Sequence, residues 1–364
     1  MIREEAVVET WLDAGEKVVA ATLVSSVGSS SHPLGATFFV SRSGRVAGAV
    51  SGGCIEAALF AEADKVFASN HPMLVTYGPA DESPFGLTCG GTIEVLVAPL
   101  DERMYRAVLT MRESNEPSVV VTRLHEPFET IVVSASGIDG ASFGHVDLFD
   151  AVRSVASALL DGGETSLRSF GSQGEPIGDA ERCFFHVFAD APVMYIVGAV
   201  DFTRPLSAVA KVLNYHVVVI DPREVFATAE RIPEADEIVV AWPDDELARR
   251  RIDSRTAIVI LTHDSKFDIP VLRLAVNTSA GYIGVMGSRA THQRRLDTLR
   301  ELGLSDDELE RISAPIGLDI GARVPEETAI AIVAEIIAQR NGRDGGRLRL
   351  GKGNLRGRPL EHAH

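Results

Sequence analysis

One cysteine lies directly after a pair of glycines, in the segment Ser51-Gly52-Gly53-Cys54. The apolar residues from Cys54 to Asn70 have helical spacing, so the thiol is predicted at the start of a helix. Free N–H groups and the positive end of the helix dipole favour a thiolate there, and a thiolate is both a nucleophile and a metal ligand. The glycines would let a bulky partner approach the backbone and let N–H groups point at an anion. For this segment alone, a small buried cysteine in a tight strand-to-helix turn is the simpler interpretation.

A second cysteine, 35 residues further on, also has a glycine pair beside it, in Cys89-Gly90-Gly91. Two Gly-flanked cysteines in loops next to buried elements indicate one site that uses both thiols. The third cysteine, Cys183, lies in an apolar strand-like segment and is predicted to belong to the core. With no Cys-x-x-Cys spacing, the three cysteines indicate neither a zinc site nor a disulfide framework.

Another group of candidate residues follows apolar strand-like segments in the C-terminal half. In the first of these turns, Val200 stands where a dinucleotide-binding turn would have its second glycine. Asp201 brings a negative charge to the place where a pyrophosphate would lie. Asp221 stands 23 residues after Gly198 at a strand end, as a ribose-binding acid would. The cofactor-binding candidates at these strand ends are Gly198, Asp221, His263, Gly287, Ser288, Arg289, Gly317 and Asp319. The helix that follows Ser288 could hold a phosphate at its N-terminus, and ordinary turn chemistry is the alternative for each residue.

The elements that must position these residues divide the chain into two parts. Residues 1–189 mix hairpin-like strands with helices, which predicts an α+β domain that carries both cysteine segments. From 192 to 340, apolar strands alternate with helices, which predicts a parallel sheet with right-handed crossovers. The predicted fold class is therefore α/β: an N-terminal α+β domain followed by a C-terminal Rossmann-like, doubly wound parallel-sheet domain. A Gly- and Arg-rich tail occupies 341–364.

The composition argues against several classes of protein. With 35 basic and 51 acidic side chains, the chain of 364 residues has a formal net charge of −16. Such a surface repels phosphate backbones, so no nucleic-acid partner is expected. No apolar run reaches the ~18 residues that a membrane helix needs. The N-terminus is typical of an acidic amphipathic helix rather than a signal peptide, and a cytoplasmic protein is expected.

Taken as a set, these motifs resemble those of the XdhC/CoxI family, the accessory factors of xanthine dehydrogenase and related molybdenum hydroxylases. In the N-terminal part the resemblance rests on GSSSHPLGATFFVSRSGRVAGAVSGGCIE and GLTCGGTIEVLVAPL. In the C-terminal part it rests on VVVIDPRE, LTHD, YIGVMGSR and PIGLDIGARVPEETAIAI. The sequence departs from the family at Val200 and Asp201, since that turn usually reads Gly-Ala-Gly-His, and at Ala314, where many members have a cysteine.

The resemblance implies a cofactor chaperone or maturation factor rather than an enzyme with turnover. Such a protein would bind molybdenum cofactor (molybdopterin) transiently and support its sulfuration together with a cysteine desulfurase. It would then deliver the cofactor to a xanthine dehydrogenase-type molybdenum hydroxylase, and we expect it to act as a homodimer. Cys54 and Cys89 are the candidate thiols for molybdenum, because a soft thiolate suits such a metal.

Two other functions stay open at this point. An NAD(P)-dependent oxidoreductase would use the Rossmann-like domain and Asp221, although Val200 and Asp201 disfavour NAD(P) as a cofactor. A non-catalytic scaffold of a dehydrogenase complex would bind its partner without either Gly-flanked cysteine.

Overall fold

The structure is a computed structural model that describes residues 3–28, 32–79, 87, 90–114, 116–140, 143–160, 162–188, 191–347 and 349. The chain divides into two compact units, and the boundary between them falls at residue 191. Within the described ranges, no helix is both long enough and apolar enough to cross a membrane.

The N-terminal unit begins with a helix and a five-stranded antiparallel sheet of order β3-β2-β1-β5-β4. Its elements are α1 (Arg3–Asp13), β1 (Val18–Val27), β2 (Thr37–Ser41), β3 (Val46–Gly48), α2 (Glu56–Ser69), β4 (Met73–Tyr77) and β5 (Thr92–Pro99). Alternate residues of β1 share a face, and Val19, Ala21 and Leu23 pack in one core with Leu59 and Ala63 of α2. This core fixes α2, and with it the segment around Cys54, against one face of the sheet.

A second five-stranded sheet follows in the same unit, and its strand order β8-β7-β6-β10-β9 repeats that of the first. Its elements are α3 (Glu102–Glu113), β6 (Ser118–Arg123), β7 (Thr130–Ser134), β8 (Gly137–Asp139), α4 (Val146–Leu159), β9 (Ser166–Phe170) and β10 (Glu181–Phe188). In both sheets three strands, one helix and two strands occur in the same chain order. The N-terminal unit therefore contains two copies of one module, which we call module 1 (β1–β5 with α2) and module 2 (β6–β10 with α4).

Hydrogen-bonded strand pairs show which residues of the two modules correspond. Thr22 and Thr37 face each other across β1 and β2 with hydroxyl oxygens 3.1 Å apart. Thr122 and Thr130 face each other across β6 and β7 with hydroxyl oxygens 3.2 Å apart. The same pair of side chains is thus kept at the same place in both sheets, which supports the assignment of two equivalent modules.

The modules pack against each other through corresponding residues. The strand registers match Leu96 with Phe184 and Glu94 with Arg182. Arg182 donates two hydrogen bonds to the Glu94 carboxylate, one of them 3.0 Å from Nη1 to Oε1. One buried apolar cluster joins the two sheets and contains Val24, Leu96, Leu124 and Phe184. Because equivalent residues contact each other, the two modules are related by an approximate twofold axis.

The C-terminal unit has a six-stranded parallel sheet of order β13-β12-β11-β14-β15-β16. Its strands are β11 (Val193–Val197), β12 (His216–Ile220), β13 (Glu237–Val239), β14 (Ala257–Ile260), β15 (Tyr282–Val285) and β16 (Ile312–Ser313). Its helices are α5 (Thr203–Val212), α6 (Pro243–Leu247), α7 (Ser265–Ala275), α8 (Arg289–Glu301), α9 (Asp306–Glu310) and α10 (Pro325–Arg340). This is the strand order of a Rossmann fold, with its switch point between β11 and β14.

The predicted fold class is confirmed, whereas one predicted helix boundary is wrong and several features are not predicted. The predicted helix at 54–70 begins only at Glu56, so Cys54 lies before α2 rather than in its first turn. The region after residue 101 belongs to the N-terminal unit and forms module 2, and this repeat is not predicted. The strands β9 and β16 escape prediction, because the first is half polar and the second has only two residues.

Candidate functional site

The segment from Ser51 to Ile55 is a bend that precedes α2. Ser51 is buried, and its Oγ accepts hydrogen bonds from the backbone N–H of Cys54 at 3.0 Å and of Ile55 at 3.3 Å. The N–H groups expected to favour a Cys54 thiolate are therefore partly used by Ser51. What the bend provides is a closed, hydrogen-bonded turn that holds Cys54 in an exposed position.

Glu56 closes this turn from the first position of α2. Its carboxylate accepts hydrogen bonds from Ser51 N at 2.8 Å, Ser51 Oγ at 2.6 Å, Val50 N at 3.2 Å and Ile55 N at 3.3 Å. Partial burial raises the pKa of Glu56, but the hydrogen bonds from Ser51 and the neighbouring amides outweigh burial and hold that pKa below its ordinary value. An ionised Glu56 thus organises the backbone on both sides of the two glycines.

The two glycines of the turn border open space. A Cβ built on Gly52 or on Gly53 would have no atom within 4 Å, and Gly53 also has a positive φ of 101°. Gly53 is therefore required by the backbone, whereas nothing in the described protein requires Gly52 to lack a side chain. Gly52 is exposed and lies two residues before the exposed Cys54, so the backbone of the turn is accessible to a bulky group.

The corresponding segment of module 2, at the start of α4, has no such turn. The residues that face the sheet are Ile55 at the N-cap of α2 with Leu59, Ala63 and Val66 of that helix, and in α4 they are Leu148, Val152, Ala156 and Leu159, with the same spacing. By this match Gly53 corresponds to Val146, the first residue of α4, whereas α2 starts three residues later at Glu56. The first helical turn is therefore open only in module 1, where Gly53 and Cys54 lie.

The other two cysteines differ from Cys54 in what the structure shows of them. Cys89 lies outside the described residues, so its pairing with Cys54 in one site stays a prediction. Gly90 has a φ of 73° with open space around it, and Gly91 approaches Gly28, whose added Cβ would be 3.3 Å from the Gly91 Cα. Cys183 is fully buried, and burial raises the pKa of its thiol to about 12, as expected for an inert core cysteine. Among the residues with described positions, no cluster of three or more His, Cys, Asp or Glu could hold a metal ion.

The strand-end candidates of the C-terminal unit lie after β11, β12, β14, β15 and β16, and hence at one edge of the parallel sheet. At the switch point the turn after β11 touches the turn after β14: a Cβ on Gly198, whose φ is 108°, would come 2.7 Å from Thr262 Cγ2. Thr203 closes the first turn, since its Oγ1 accepts from Val200 N at 3.1 Å and donates to Gly198 O at 2.6 Å. His263 is exposed next to Thr262.

Asp221 is buried, and its carboxylate is used within the protein. It accepts hydrogen bonds from Ala199 N at 2.7 Å, Arg223 N at 2.9 Å, Arg223 Nε at 2.9 Å and Arg223 Nη2 at 2.7 Å. Burial raises the pKa of Asp221, but the bonds from Arg223 and Ala199 outweigh burial and keep that pKa below its ordinary value. Asp221 therefore joins the ends of β11 and β12 and holds Arg223 at the sheet edge.

The remaining candidates have mainly local contacts. Ser288 is the N-cap of α8, and its Oγ accepts a hydrogen bond from Thr291 N at 3.1 Å. Asp319 is exposed. A Cβ on Gly287 would come 2.8 Å from an Arg295 nitrogen, and the Gly317 amide donates to Glu335 at 2.9 Å. Arg289 is exposed in the first turn of α8. An exposed Arg289 above a helix N-terminus remains compatible with an anionic group.

Sequence reasoning missed two residues that shape these turns. Glu56 lies five positions after Ser51, a spacing that matches no standard capping box, so no sequence signal indicates its role. Thr203 stands where a third glycine of a dinucleotide motif would be sought, and its hydroxyl closes the turn.

Fold and site together define a protein with two paired antiparallel modules, a glycine-cysteine turn in the first of them, and a C-terminal Rossmann domain. Comparison with known proteins agrees with this class. The model described as "XdhC Rossmann domain" matches residues 194–336, and the model described as "XdhC and CoxI family" matches residues 11–78. The chain belongs to the XdhC and CoxI family.

Three relatives illustrate the match. A Bacillus subtilis protein named as a probable subunit of xanthine dehydrogenase is 26% identical over 338 residues, which cover 91% of this chain and 96% of that protein. The molybdenum cofactor insertion chaperone PaoD of Escherichia coli is 27% identical over 333 residues, covering 90% and 85%. A crystal structure described as a xanthine dehydrogenase from Bacillus halodurans is 26% identical, with a TM-score of 0.71 over 94% of this chain and 96% of that one.

Proposed function

We propose that this protein binds molybdenum cofactor as cargo and delivers it to a xanthine dehydrogenase-type molybdenum hydroxylase. The observation that carries the proposal is the preformed turn that exposes Cys54 two residues after the accessible Gly52. The relative PaoD, named as a molybdenum cofactor insertion chaperone, supports the same role. The binding of a cargo fits an exposed thiol in a turn that its own hydrogen bonds already hold.

The chemistry of the turn suits such a cargo. A thiolate is a soft ligand of the kind that binds molybdenum or carries a transferable sulfur. The turn is held by Ser51 and Glu56 before any cargo arrives, so little ordering is needed on binding. We further propose that a cysteine desulfurase supplies sulfur while the cofactor is held at this turn, with Cys54 as the contact and Cys89 as the second thiol.

An anaerobic binding titration with isolated molybdenum cofactor tests the proposal. We expect Cys54→Ser to bind at least about tenfold more weakly than the wild type, equivalent to 1.4 kcal/mol. The double variant Cys54→Ser/Cys89→Ser should bind no better than the single one. Cys183→Val is the matched control, because Val95 occupies the corresponding position in module 1, and it should bind like the wild type. Equal binding by the wild type and the double variant would refute the proposal.

Nucleotide binding at the Rossmann edge is the second candidate, and the strand order of the C-terminal sheet favours it. The Asp221 carboxylate already accepts four hydrogen bonds, so a ribose would have to displace Ala199 N or Arg223. Calorimetric titration with NAD⁺ and NADP⁺ decides between the candidates. Saturable heat that Asp221→Asn weakens would support nucleotide binding, and no saturable heat would remove this candidate.

A further inference from the structure

A cavity of about 1040 Å³ lies between the two sheets of the N-terminal unit. Module 1 contributes the face of its sheet that does not contact α2, and module 2 contributes the corresponding face of its own sheet. The helices α1 and α3 form the remaining wall with Glu5, Tyr105 and Arg112. The space is open to solvent on one side, and its volume is close to the range of about 300–1,000 Å³ that ligand-binding clefts occupy.

The cavity exists because the two modules place side chains of different size at corresponding positions. In module 1, Ala20 faces Ala98 across the strands, whereas in module 2 Val120 faces His186. All four line the cavity, so the small side chains of module 1 leave room opposite the larger ones of module 2. The space is therefore a specific product of the divergence between the modules.

Aromatic rings form part of the wall. The His186 ring packs on Phe188 with centroids 4.1 Å apart, and Phe39, Tyr105 and Phe128 also line the cavity. Burial lowers the pKa of His186 to about 4, so its imidazole is neutral near pH 7. Flat apolar rings with a neutral imidazole among them favour a ligand that can stack.

Polar groups of the wall offer hydrogen bonds. The corresponding pairs Thr22–Thr37 and Thr122–Thr130 bring four hydroxyl groups to the same cavity. Within each pair one hydroxyl donates to the other, and Thr37 donates to Gly35 O at 2.9 Å. The Thr122–Thr130 pair therefore keeps one O–H group for a ligand acceptor, and the hydroxyl oxygens of both pairs can accept further hydrogen bonds.

The charged groups of the wall favour a neutral ligand. Arg112 is paired with Glu5 and Arg103 with Asp139 at 2.7 Å, so both arginines are already neutralised. The carboxylate of Glu4, which also lines the cavity, would repel an anion. A charged ligand would thus have to compete with existing ion pairs in a partly desolvated space.

We propose that this cavity binds a small, neutral, planar heteroaromatic molecule of the size of a purine or larger. The rings supply stacking, and the hydroxyl groups of the threonine pairs supply hydrogen bonds to ring nitrogens or exocyclic groups. Neither Cys54 nor any other residue of its turn from 51 to 55 lines the cavity. The site is therefore independent of the proposed cofactor turn, and either can fail without the other.

The free base 2-aminopurine is a suitable probe, because it is neutral, planar and fluorescent, and stacking quenches its emission. The full-length protein is expected to quench it saturably below about 1 mM. Ala98→Leu places a larger side chain in the cavity, at the position where module 2 has His186, and should weaken binding about tenfold or more. Ala61→Leu, on the exposed surface of α2 outside the cavity, is the matched control and should leave binding unchanged.

Thr122→Val separates ligand binding from a purely structural role. It keeps the shape of the side chain and removes one hydroxyl of the cavity wall, so it should weaken 2-aminopurine binding about fivefold to tenfold while the unfolding midpoint falls by only a few degrees. The charged nucleotide 2-aminopurine riboside 5′-monophosphate should bind more weakly than the base. The proposal is overturned if no saturable quenching occurs, if Ala98→Leu binds like Ala61→Leu, or if the charged nucleotide binds as well as the neutral base.

Discussion

The turn that presents Cys54 depends on one carboxylate, and Glu56→Gln tests this dependence. In the wild type, Oε1 accepts from Val50 N and Ser51 N, while Oε2 accepts from Ser51 Oγ and Ile55 N. The glutamine side chain replaces one of these oxygens by an NH₂ group, which is a donor. With the NH₂ group in place of Oε1, the Val50 and Ser51 N–H groups face a donor instead of their acceptor. With the NH₂ group in place of Oε2, Ile55 N faces a donor and keeps only its bond to Ser51 Oγ, whose hydroxyl must turn its hydrogen away.

The expected cost follows from the loss of hydrogen bonds to a charged acceptor. Such a bond contributes about 1.5–3 kcal/mol. Val50 and Ser51 are buried, but Glu56 itself is only half-buried and water can compensate in part, so we expect about 1–2 kcal/mol from the loss. The turn should also open more often, which would change the rate at which iodoacetamide alkylates Cys54.

Urea unfolding of Glu56→Gln against the wild type measures this cost. Asp64→Asn is the control, since it makes the same change of charge on the exposed face of α2 and should stay within about 0.5 kcal/mol. Because the pKa of Glu56 is lowered on folding, its contribution should be complete above the usual glutamate pKa of about 4.3 and disappear as the pH falls through the folded-state value. A Glu56→Gln variant as stable as Asp64→Asn at pH 7, with an unchanged rate of Cys54 alkylation, would refute the reasoning.

Two further predictions concern glycines of module 1 and a buried ion pair of the Rossmann domain. Gly48→Ala should be strongly destabilising in thermal unfolding, since its Cβ would come 2.2 Å from Thr37 O at a φ of 75°. Gly52→Ala should change the free energy of unfolding by less than about 1 kcal/mol and should weaken cofactor binding. An equal loss of stability in both variants would contradict this assignment. Asp268→Asn should lower the free energy of unfolding by about 3–5 kcal/mol in urea. Asp268 and Arg295 are both buried, and the substitution leaves the guanidinium without its counter-ion. A loss below about 1 kcal/mol would show that the pair is not maintained in solution.

The Rossmann domain could be predicted from the sequence because its strands are continuous apolar runs that alternate with amphipathic helices. HVVVI and AIVI are buried along their whole length apart from His216, as a parallel sheet covered on both faces requires. The two-residue strand β16 carries no periodic signal, so only the tertiary structure reveals it.

The duplication of the N-terminal unit is not predicted, although the sequence contains a trace of it. TFFVSRSG at 37–44 and TIVVSASG at 130–137 share their threonine, valine, both serines and the glycine. In both turns the two serine hydroxyls contact each other, at 3.0 Å in module 1 and 2.8 Å in module 2. Outside this hairpin the modules share few identical residues, such as Thr22 and Thr122, and otherwise an apolar pattern that many unrelated sequences have. The repeat therefore becomes visible only from the strand registers.

The candidate site is predictable in part. The glycine-cysteine pattern identifies Cys54, and the structure shows that Cys54 is exposed, two residues after the accessible Gly52. The predicted start of the helix is wrong because the sequence after Cys54 has good helical spacing, and propensity alone does not show that Ser51 and Glu56 bond across the first turn. The sequence predicts that Asp221 faces a ribose, but Arg223, two residues later, takes up most of its hydrogen-bonding capacity.

Protection of Cys54 from alkylation by bound molybdenum cofactor is the most direct test of the proposed function. Under anaerobic conditions, iodoacetamide labelling of the native protein is followed by peptide mass spectrometry, and the buried Cys183 should remain unlabelled throughout. At a free cofactor concentration of ten times its Kd, labelling of Cys54 should slow about elevenfold, the factor 1 + [L]/Kd expected when only the free protein reacts. An unchanged rate of Cys54 labelling, with the cofactor shown to be bound, would contradict the claim that this turn holds the cargo.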